Sequence, residues 1–336
     1  MKFGVFDQND SSGRSAALQY EERLKLAALY ESLGFSHYQM SEHHGTPLST
    51  TPSPSVFLAA MSQRTKTLRF GPLVYLLPVY NPMRLTEEIC MLDNLSGGRF
   101  EFGVGRGASG FELGYLGVNP SEALERYQEA FEIIRQGLAT GRLDYQGKHW
   151  SYADVNLSIR PVQSPPPIWY AAGGPDSAAW PARNFFNMVC AGPVERVREV
   201  VLRYRSEQAS VLDGRASANL FGVNRYIVVA KTDALAREIA DRAWQVHHKS
   251  FWTLWHRYDS EPRGWKLPPT LDPLIESGFV VIGSPTTVRA EIERQVEISG
   301  VNYLSGNFAF GDLSFDEVVD SVSLFAEAVI PALSKR

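Results

Sequence analysis

The sequence predicts a closed parallel α/β barrel of eight strand–helix units, a (β/α)8 TIM barrel with insertions. Three observations predict it. Short apolar runs alternate with longer segments of helical period along most of the chain. The apolar runs number eight. The length, 336 residues, is one at which a single α/β barrel is common. Alternation of strands with helices implies a parallel sheet, and eight strands favour closure into a barrel over an open doubly wound sheet. Residues 1–336 are read as one such domain.

Phe3–Phe6 is the first strand, followed by a helix from about Ser15 to Leu33 with Leu18, Leu24, Leu26, Ala27 and Tyr30 near one face. Gly34 stands where a left-handed residue closes a helix. The unit then recurs as strand His37–Met40 with helix Ser53–Arg64, strand Leu68–Val74 with helix Pro82–Leu95, and strand Phe100–Val104 with helix Ser121–Ala139. Leu143–Arg160, aromatic and β-branched with Gly and Asn breaks, reads as a strand pair decorating the barrel. Strand Ile168–Ala171 precedes helix Asp176–Phe186, strand Asn187–Cys190 precedes helix Val194–Ser210, and strand Leu220–Ala230 precedes helix Ala234–Trp255. Asp259–Phe279 is rich in Pro, Gly and charge and reads as a long excursion without regular structure. Helix Pro285–Ser299, strand Val301–Phe308 and helix Phe315–Leu333 complete the chain.

Composition excludes several classes of partner. Lys and Arg total 33 against 37 Asp and Glu, a formal charge of −4 with no basic run, so nucleic acid is not expected. No apolar stretch reaches the ~20 residues that span a bilayer, and MKFGVFDQND turns polar where a signal peptide needs its apolar core, so a cytoplasmic protein is expected. Cys90 and Cys190 form no CxxC pattern and are read as buried small hydrophobes.

In such a barrel chemistry belongs where the strands end. The second strand ends in Ser41-Glu42-His43-His44-Gly45. Adjacent histidines on an extended segment point to opposite sides, and no HxH or HExxH occurs, so no metal site is expected. One ring should face the mouth, where an imidazole suits general acid/base work, unless both histidines are structural. The fourth strand runs into Gly103-Val-Gly105-Arg106-Gly107-Ala-Ser-Gly110. Gly105 to Gly110 fits GxGxxG, but the next helix is expected only near Ser121, so the pattern is weak as a dinucleotide fingerprint. Its glycines let a flat ligand approach the backbone, and Arg106 sets a permanent bidentate cation beside it, a phosphate anchor unless it is solvated or paired with Glu101. Ala172-Gly173-Gly174-Pro175-Asp176-Ser177 leads strand five into a helix, a second anion candidate in which Asp176 could instead be the N-cap. The apolar run from Leu73 to Tyr80, with Phe6, Phe308 and Trp169, is expected to make an apolar basin at the mouth.

These residues resemble the bacterial luciferase-like, flavin-dependent monooxygenases. MKFGVF, Leu33-Gly-Phe-Ser-His-Tyr, Ser41-Glu-His-His44, Leu68-Arg-Phe-Gly71 through Asn81-Pro82, and Leu92-Asp93 through Phe100 into Gly103-Val-Gly-Arg-Gly107 are similar to that family's motifs in order and spacing. The likeness is dense over about residues 1–130, returns at Ile168–Ala182 and is looser beyond.

The resemblance implies a barrel that binds reduced FMN as co-substrate and reacts it with O2 to a flavin C4a-hydroperoxide, which oxygenates a small apolar organic molecule such as an aldehyde or ketone. It places an acid/base at His43, a phosphate anchor at Arg106 beside Gly105, a second phosphate segment at Ala172, Gly173, Gly174 and Ser177, and a non-prolyl cis peptide against the flavin at Leu73–Val74. A lid is implied at about residues 259–279, a separate NAD(P)H-dependent flavin reductase as donor, and a homodimer. Luciferase catalytic chains have a cysteine where this chain has Gly105, and an acidic residue followed by serine where it has Gly173-Gly174, so light emission is not implied. Hydride transfer with a deazaflavin or FMN, and a non-catalytic flavin-binding subunit, are the competing readings.

Overall fold

The computed structural model describes residues 1–212, 217–262 and 267–334. Its strands are β1 (Lys2–Asp7), β2 (His37–Met40), β3 (Arg69–Pro72), β4 (Tyr75–Leu76), β5 (Phe102–Gly105), β6 (Arg142–Gln146), β7 (Ser151–Asn156), β8 (Ile168–Ala172), β9 (Asn187–Cys190), β10 (Phe221–Val229), β11 (Val280–Gly283) and β12 (Tyr303–Asn307). All pairings in the main sheet are parallel, in the order β3-β2-β1-β12-β10-β9-β8-β5-β4, with β11 on β10. A parallel bridge between Phe70 and Phe100 brings the two ends of that order together. The expected barrel is therefore present: β3 and β4 are one strand of the ring, divided at the Leu73–Val74 peptide, which is cis.

Local chemistry sets the helix limits. Ser15 Oγ accepts from the Leu18 N–H at the start of helix Ala16–Ser32, and Asn81 Oδ1 accepts from the Arg84 N–H ahead of Pro82–Ser96. Gly97, at φ 64°, closes the latter in a left-handed conformation that favours glycine. Antiparallel β6 and β7 form the decorating pair expected between residues 143 and 160.

Three features depart from the sequence reading. A six-residue helix, Gly110–Tyr115, opens directly from the glycine-rich segment, with Ser109 Oγ accepting from the Glu112 N–H; six residues are too few to show an apolar period. The excursion at 259–279 contains the short helix Asp272–Glu276 and so is not wholly irregular, while its residues 263–266 lie outside the described residues. β11 is a ninth parallel strand, hidden because four apolar residues between a glycine and a helix cap carry little signal. Among the described residues no helix is long and apolar enough to cross a membrane.

The seam between β3 and β5 is drawn tight. The Glu101 N–H donates to the Phe70 carbonyl at 2.9 Å. A Cβ on Gly71 would land on the Glu101 carbonyl oxygen, so only glycine lets the two strands approach this closely. The buried Glu101 carboxylate accepts from Arg69 Nε and Trp169 Nε1 and lies 3.6 Å from His37 Nε2, joining β2, β3 and β8 beneath the barrel mouth. Burial pushes its pKa up, but His37, Arg69 and Trp169 outweigh that and hold it down at about 2.

Replacing Glu101 by Gln should lower the unfolding free energy at pH 7 by about 3–5 kcal/mol, the cost of breaking a buried pair. Because the folded pKa is depressed, the wild-type advantage is full above the ordinary value of 4.5 and is lost as pH falls through about 2. Urea unfolding at pH 7 and pH 3 should therefore show a smaller gap at pH 3; equal gaps would contradict the assignment.

Candidate active site at the barrel mouth

A cavity of about 700 Å³ opens at the C-terminal ends of the strands. Phe6, Leu73 and Val74 form apolar walls, Trp255 and Pro262 border it from the segment at the end of helix Asp233–Arg257, and Arg106 lies at its edge. Such a volume with mostly apolar walls and a few placed polar groups suits a planar organic ligand.

His43 borders the cavity and His44 does not, as the alternation of an extended segment requires. Glu112 Oε1 lies 3.1 Å from His43 Nδ1 and accepts the His44 N–H at 2.8 Å. Burial raises the Glu112 pKa, but the hydrogen bond and charge of His43 and the His44 N–H outweigh it, so the carboxyl lies below its ordinary value. An ionised carboxylate only accepts, so Nδ1 carries the proton and Nε2 is the ring nitrogen left for the cavity. Glu42, on the other side of the segment, is buried; its Oε1 is 2.8 Å from His44 Nε2 and its Oε2 accepts the Leu76 N–H at 2.9 Å. Glu42 thereby ties the end of β2 to β4 across the cavity wall.

Gly105 and Arg106 continue β5 into the cavity lining. A Cβ at Gly105 would fall on Val74 Cγ2, so a side chain here would push Val74 into the space a flat ligand needs. Arg106 is exposed and, among the described residues, makes no ion pair; the alternative partner Glu101 is instead buried in the barrel floor with Arg69. Gly173 also borders the cavity. Ala172 is buried outside the lining, and Gly174 and Ser177 bond each other: the Gly174 N–H donates to Ser177 Oγ at 3.2 Å, and that hydroxyl donates to the Gly174 carbonyl at 2.8 Å.

Of the residues singled out from the sequence, His43, Leu73, Val74, Gly105, Arg106 and Gly173 meet around one cavity, whereas Ala172, Gly174 and Ser177 stand behind or beside it. The apolar basin is built differently from the expectation. Phe6 borders it, but Trp169 is the second residue of β8, buried beneath it against Glu101, and Phe308 packs edge-on behind the sheet on Phe35 and Phe325. Sequence reasoning missed Glu112 and Glu42 as partners of the histidines, and Arg196, whose Nη2 donates to the Gly173 carbonyl at 2.6 Å. Ser109 followed three residues later by Glu112, a helix-start pattern, was the available signal for the first.

The family model described as luciferase-like monooxygenase matches residues 1–303. A Sinorhizobium fredii protein, y4wF, is 43% identical over 317 residues, covering 94% of this chain and 92% of its own. The protein named flavin-dependent trigonelline monooxygenase, oxygenase component, of Acinetobacter baylyi is 28% identical over 56% of this chain and 53% of its own. Among solved structures, monooxygenase RslO1 from Streptomyces bottropensis superposes with a TM-score of 0.89 at 26% identity, covering 99% of each chain. The oxygenating constituent of 3,6-diketocamphane monooxygenase from Pseudomonas putida, in complex with FMN, shares the fold with a TM-score of 0.84 at 20% identity over 99% of this chain and 98% of that one.

Burial pushes the Glu42 carboxyl above its ordinary value, against hydrogen bonds from His44, Leu76 N–H and Tyr80. With a raised folded pKa, its contribution to stability is full below the ordinary value of 4.5 and is lost as pH rises through the folded value. Glu42→Gln keeps an oxygen for the Leu76 N–H without the charge, so the variant should gain stability relative to wild type between pH 4 and pH 8 in urea unfolding. A relative loss on raising the pH would contradict a buried, reluctantly ionised Glu42.

Proposed function

We propose, from the premise that this chain belongs to the luciferase-like monooxygenase family, that it is the oxygenase of a two-component system using reduced FMN and O2. The observation that carries the reading is the convergence on one largely apolar cavity of a histidine held at Nδ1, a glycine flush with the wall and an arginine that has no ion-pair partner among the described residues. FMN fits these residues: the ring against Leu73, Val74 and Gly105, the phosphate toward Arg106 and the Gly173 segment. Bound there in reduced form, FMN supplies activation of O2 and transfer of one oxygen atom to the substrate.

The chain's own residues do the rest. His43 Nε2 gives or takes a proton at the cavity surface, while Glu112 holds the ring through Nδ1. Phe6, Leu76 and Trp255 keep water from the reacting ring and favour a small apolar, uncharged substrate such as an aldehyde or ketone. Trp255 and Pro262 border the cavity at the start of the 259–279 excursion, which supports a lid role for that segment. A separate NAD(P)H-dependent flavin reductase as partner is supported by the relative named as an oxygenase component. The protein is read as cytoplasmic and as a homodimer, pairing through the face where Val56, Met91 and Leu95 are exposed on neighbouring helices.

His43→Ala should leave FMN affinity within a few-fold and lower product formation by roughly 10²–10⁴-fold, the usual worth of a general acid/base; unchanged coupled turnover would remove His43 from the mechanism. Arg106→Ala should weaken FMN binding by about 1–3 kcal/mol, measured calorimetrically. Wild-type affinity in that variant would refute the anchor.

A further inference from the structure

The lining of the barrel-mouth cavity divides into two sides. Arg106, Tyr170 and Gly173 stand on or just past β5 and β8, and Tyr127 joins them from helix Ala123–Thr140. This is the side assigned to the flavin phosphate. Phe6, Ser41, His43, Leu73 and Leu76 stand on or just past β1 to β4. That side is apolar apart from the segment after β2, and it is the side left to an organic substrate.

Two side chains of the lining carry a buried polar atom without a hydrogen-bond partner, the Ser41 and Tyr127 hydroxyl oxygens. Tyr127 also borders the neighbouring cleft with Ser177 and belongs to the phosphate side. Ser41 is 5% exposed, and its N–H donates to the Asp7 carbonyl at 3.1 Å, so its backbone is fixed while its side chain is unspent. A hydroxyl shut away from water and unpaired in the protein has lost hydrogen bonds on folding and regained none. At a cavity wall, a ligand that pairs with it restores that loss. A serine hydroxyl shifts between staggered positions about a single bond and turns its proton freely, so it can meet an atom set against this wall.

The neighbours of Ser41 leave it the part of donor. Glu42 has one carboxylate oxygen at His44 and the other at the Leu76 N–H. His43 is engaged at Nδ1 by Glu112, so its neutral ring offers the cavity an acceptor. A carbonyl oxygen only accepts. Among the described residues on this side of the lining, the Ser41 hydroxyl is the one uncommitted neutral side-chain donor.

We propose that the Ser41 hydroxyl donates a hydrogen bond to the carbonyl oxygen of the organic substrate and holds it beside His43, which makes Ser41 a specificity residue for aldehydes and ketones. A hydrocarbon of the same shape forgoes this bond. The inference rests on the reading that reduced FMN occupies the rest of the cavity.

The test takes the full-length protein under anaerobic conditions, titrates it calorimetrically with photoreduced FMN, and then follows ligand binding to the flavin-loaded protein by saturation-transfer NMR. The probes are cyclohexanone with methylenecyclohexane, and cyclooctanone with methylenecyclooctane, pairs that differ only in carbonyl oxygen against methylene. Ser41→Ala should weaken ketone binding about fivefold, the scale of one neutral hydrogen bond, and leave the methylene partners and reduced FMN within twofold. In urea unfolding the variant should be no less stable than wild type, because the hydroxyl it lacks has no partner in the protein. Equal effects on both members of each pair, or failure of both ketones to bind the flavin-loaded wild-type protein, overturn the proposal. A clear loss of stability in Ser41→Ala also overturns it, since the hydroxyl would then serve the fold. Normal binding of reduced FMN without a ketone-specific effect defeats this inference alone; failure of reduced FMN to bind the wild-type protein defeats the flavin reading beneath it.

Discussion

The closure of the barrel between β3 and β5 is the constraint on which the site depends. Glu101 fixes that seam from below through Arg69, His37 and Trp169, and the absence of a side chain at Gly71 lets the two backbones meet. Directly above, the same two strands carry Leu73, Val74, Gly105 and Arg106 to the cavity. A carboxylate buried with a guanidinium, an imidazole and an indole is costly to disrupt, because removing one partner leaves the others desolvated and unpaired. The groups that bear on a ligand thus stand on a floor of paired, buried polar groups.

A second layer of buried acid organises the histidine segment. Glu42 and Glu112 approach it from opposite sides, the first holding His44 and the Leu76 N–H, the second holding His43 and the His44 N–H. Glu42 anchors the segment to β4 and sits where burial resists its ionisation; Glu112 ionises readily because two donors face it. One acid therefore serves position and the other serves charge. Helix Gly110–Tyr115, which carries Glu112, is also gripped from above: Phe111 stacks on Tyr258 at 4.1 Å and the Tyr115 and Tyr258 hydroxyls lie 2.7 Å apart. His43 and Tyr258 are thus both held by one short helix.

Much of this was legible in the sequence, for identifiable reasons. Most of the barrel strands announce themselves as apolar runs between helices long enough to show a period, the five-residue helix Ala179–Arg183 between β8 and β9 being the exception, and β5 is readable because glycines crowd its end. His43 and Arg106 stand out because a strand end is where a barrel places chemistry. What was hidden depended on contacts formed only in three dimensions. Glu112 meets His43 across 69 positions of chain and Arg196 reaches Gly173 across 23; the spacing from Ser109 marks Glu112 only as a helix start, and nothing local distinguishes Arg196 from a solvated charge. Trp169 was misplaced for a different reason: a strand residue's height in the barrel is set by register, and its pairing with Gly103 and Asn187 puts it one layer below the mouth. The split of the third strand at Leu73–Val74 came from family likeness and not from any propensity of those residues.

The central claim is that this cavity takes a reduced flavin and governs its reaction with oxygen. The most direct measurement is rapid mixing of the protein, preloaded anaerobically with photoreduced FMN, against oxygenated buffer, following flavin absorbance through reoxidation. The account requires reoxidation with a time course distinct from that of free FMN, including a phase slowed by the apolar, water-poor site and altered when His43 is replaced. Reoxidation indistinguishable from free FMN at saturating protein would contradict it.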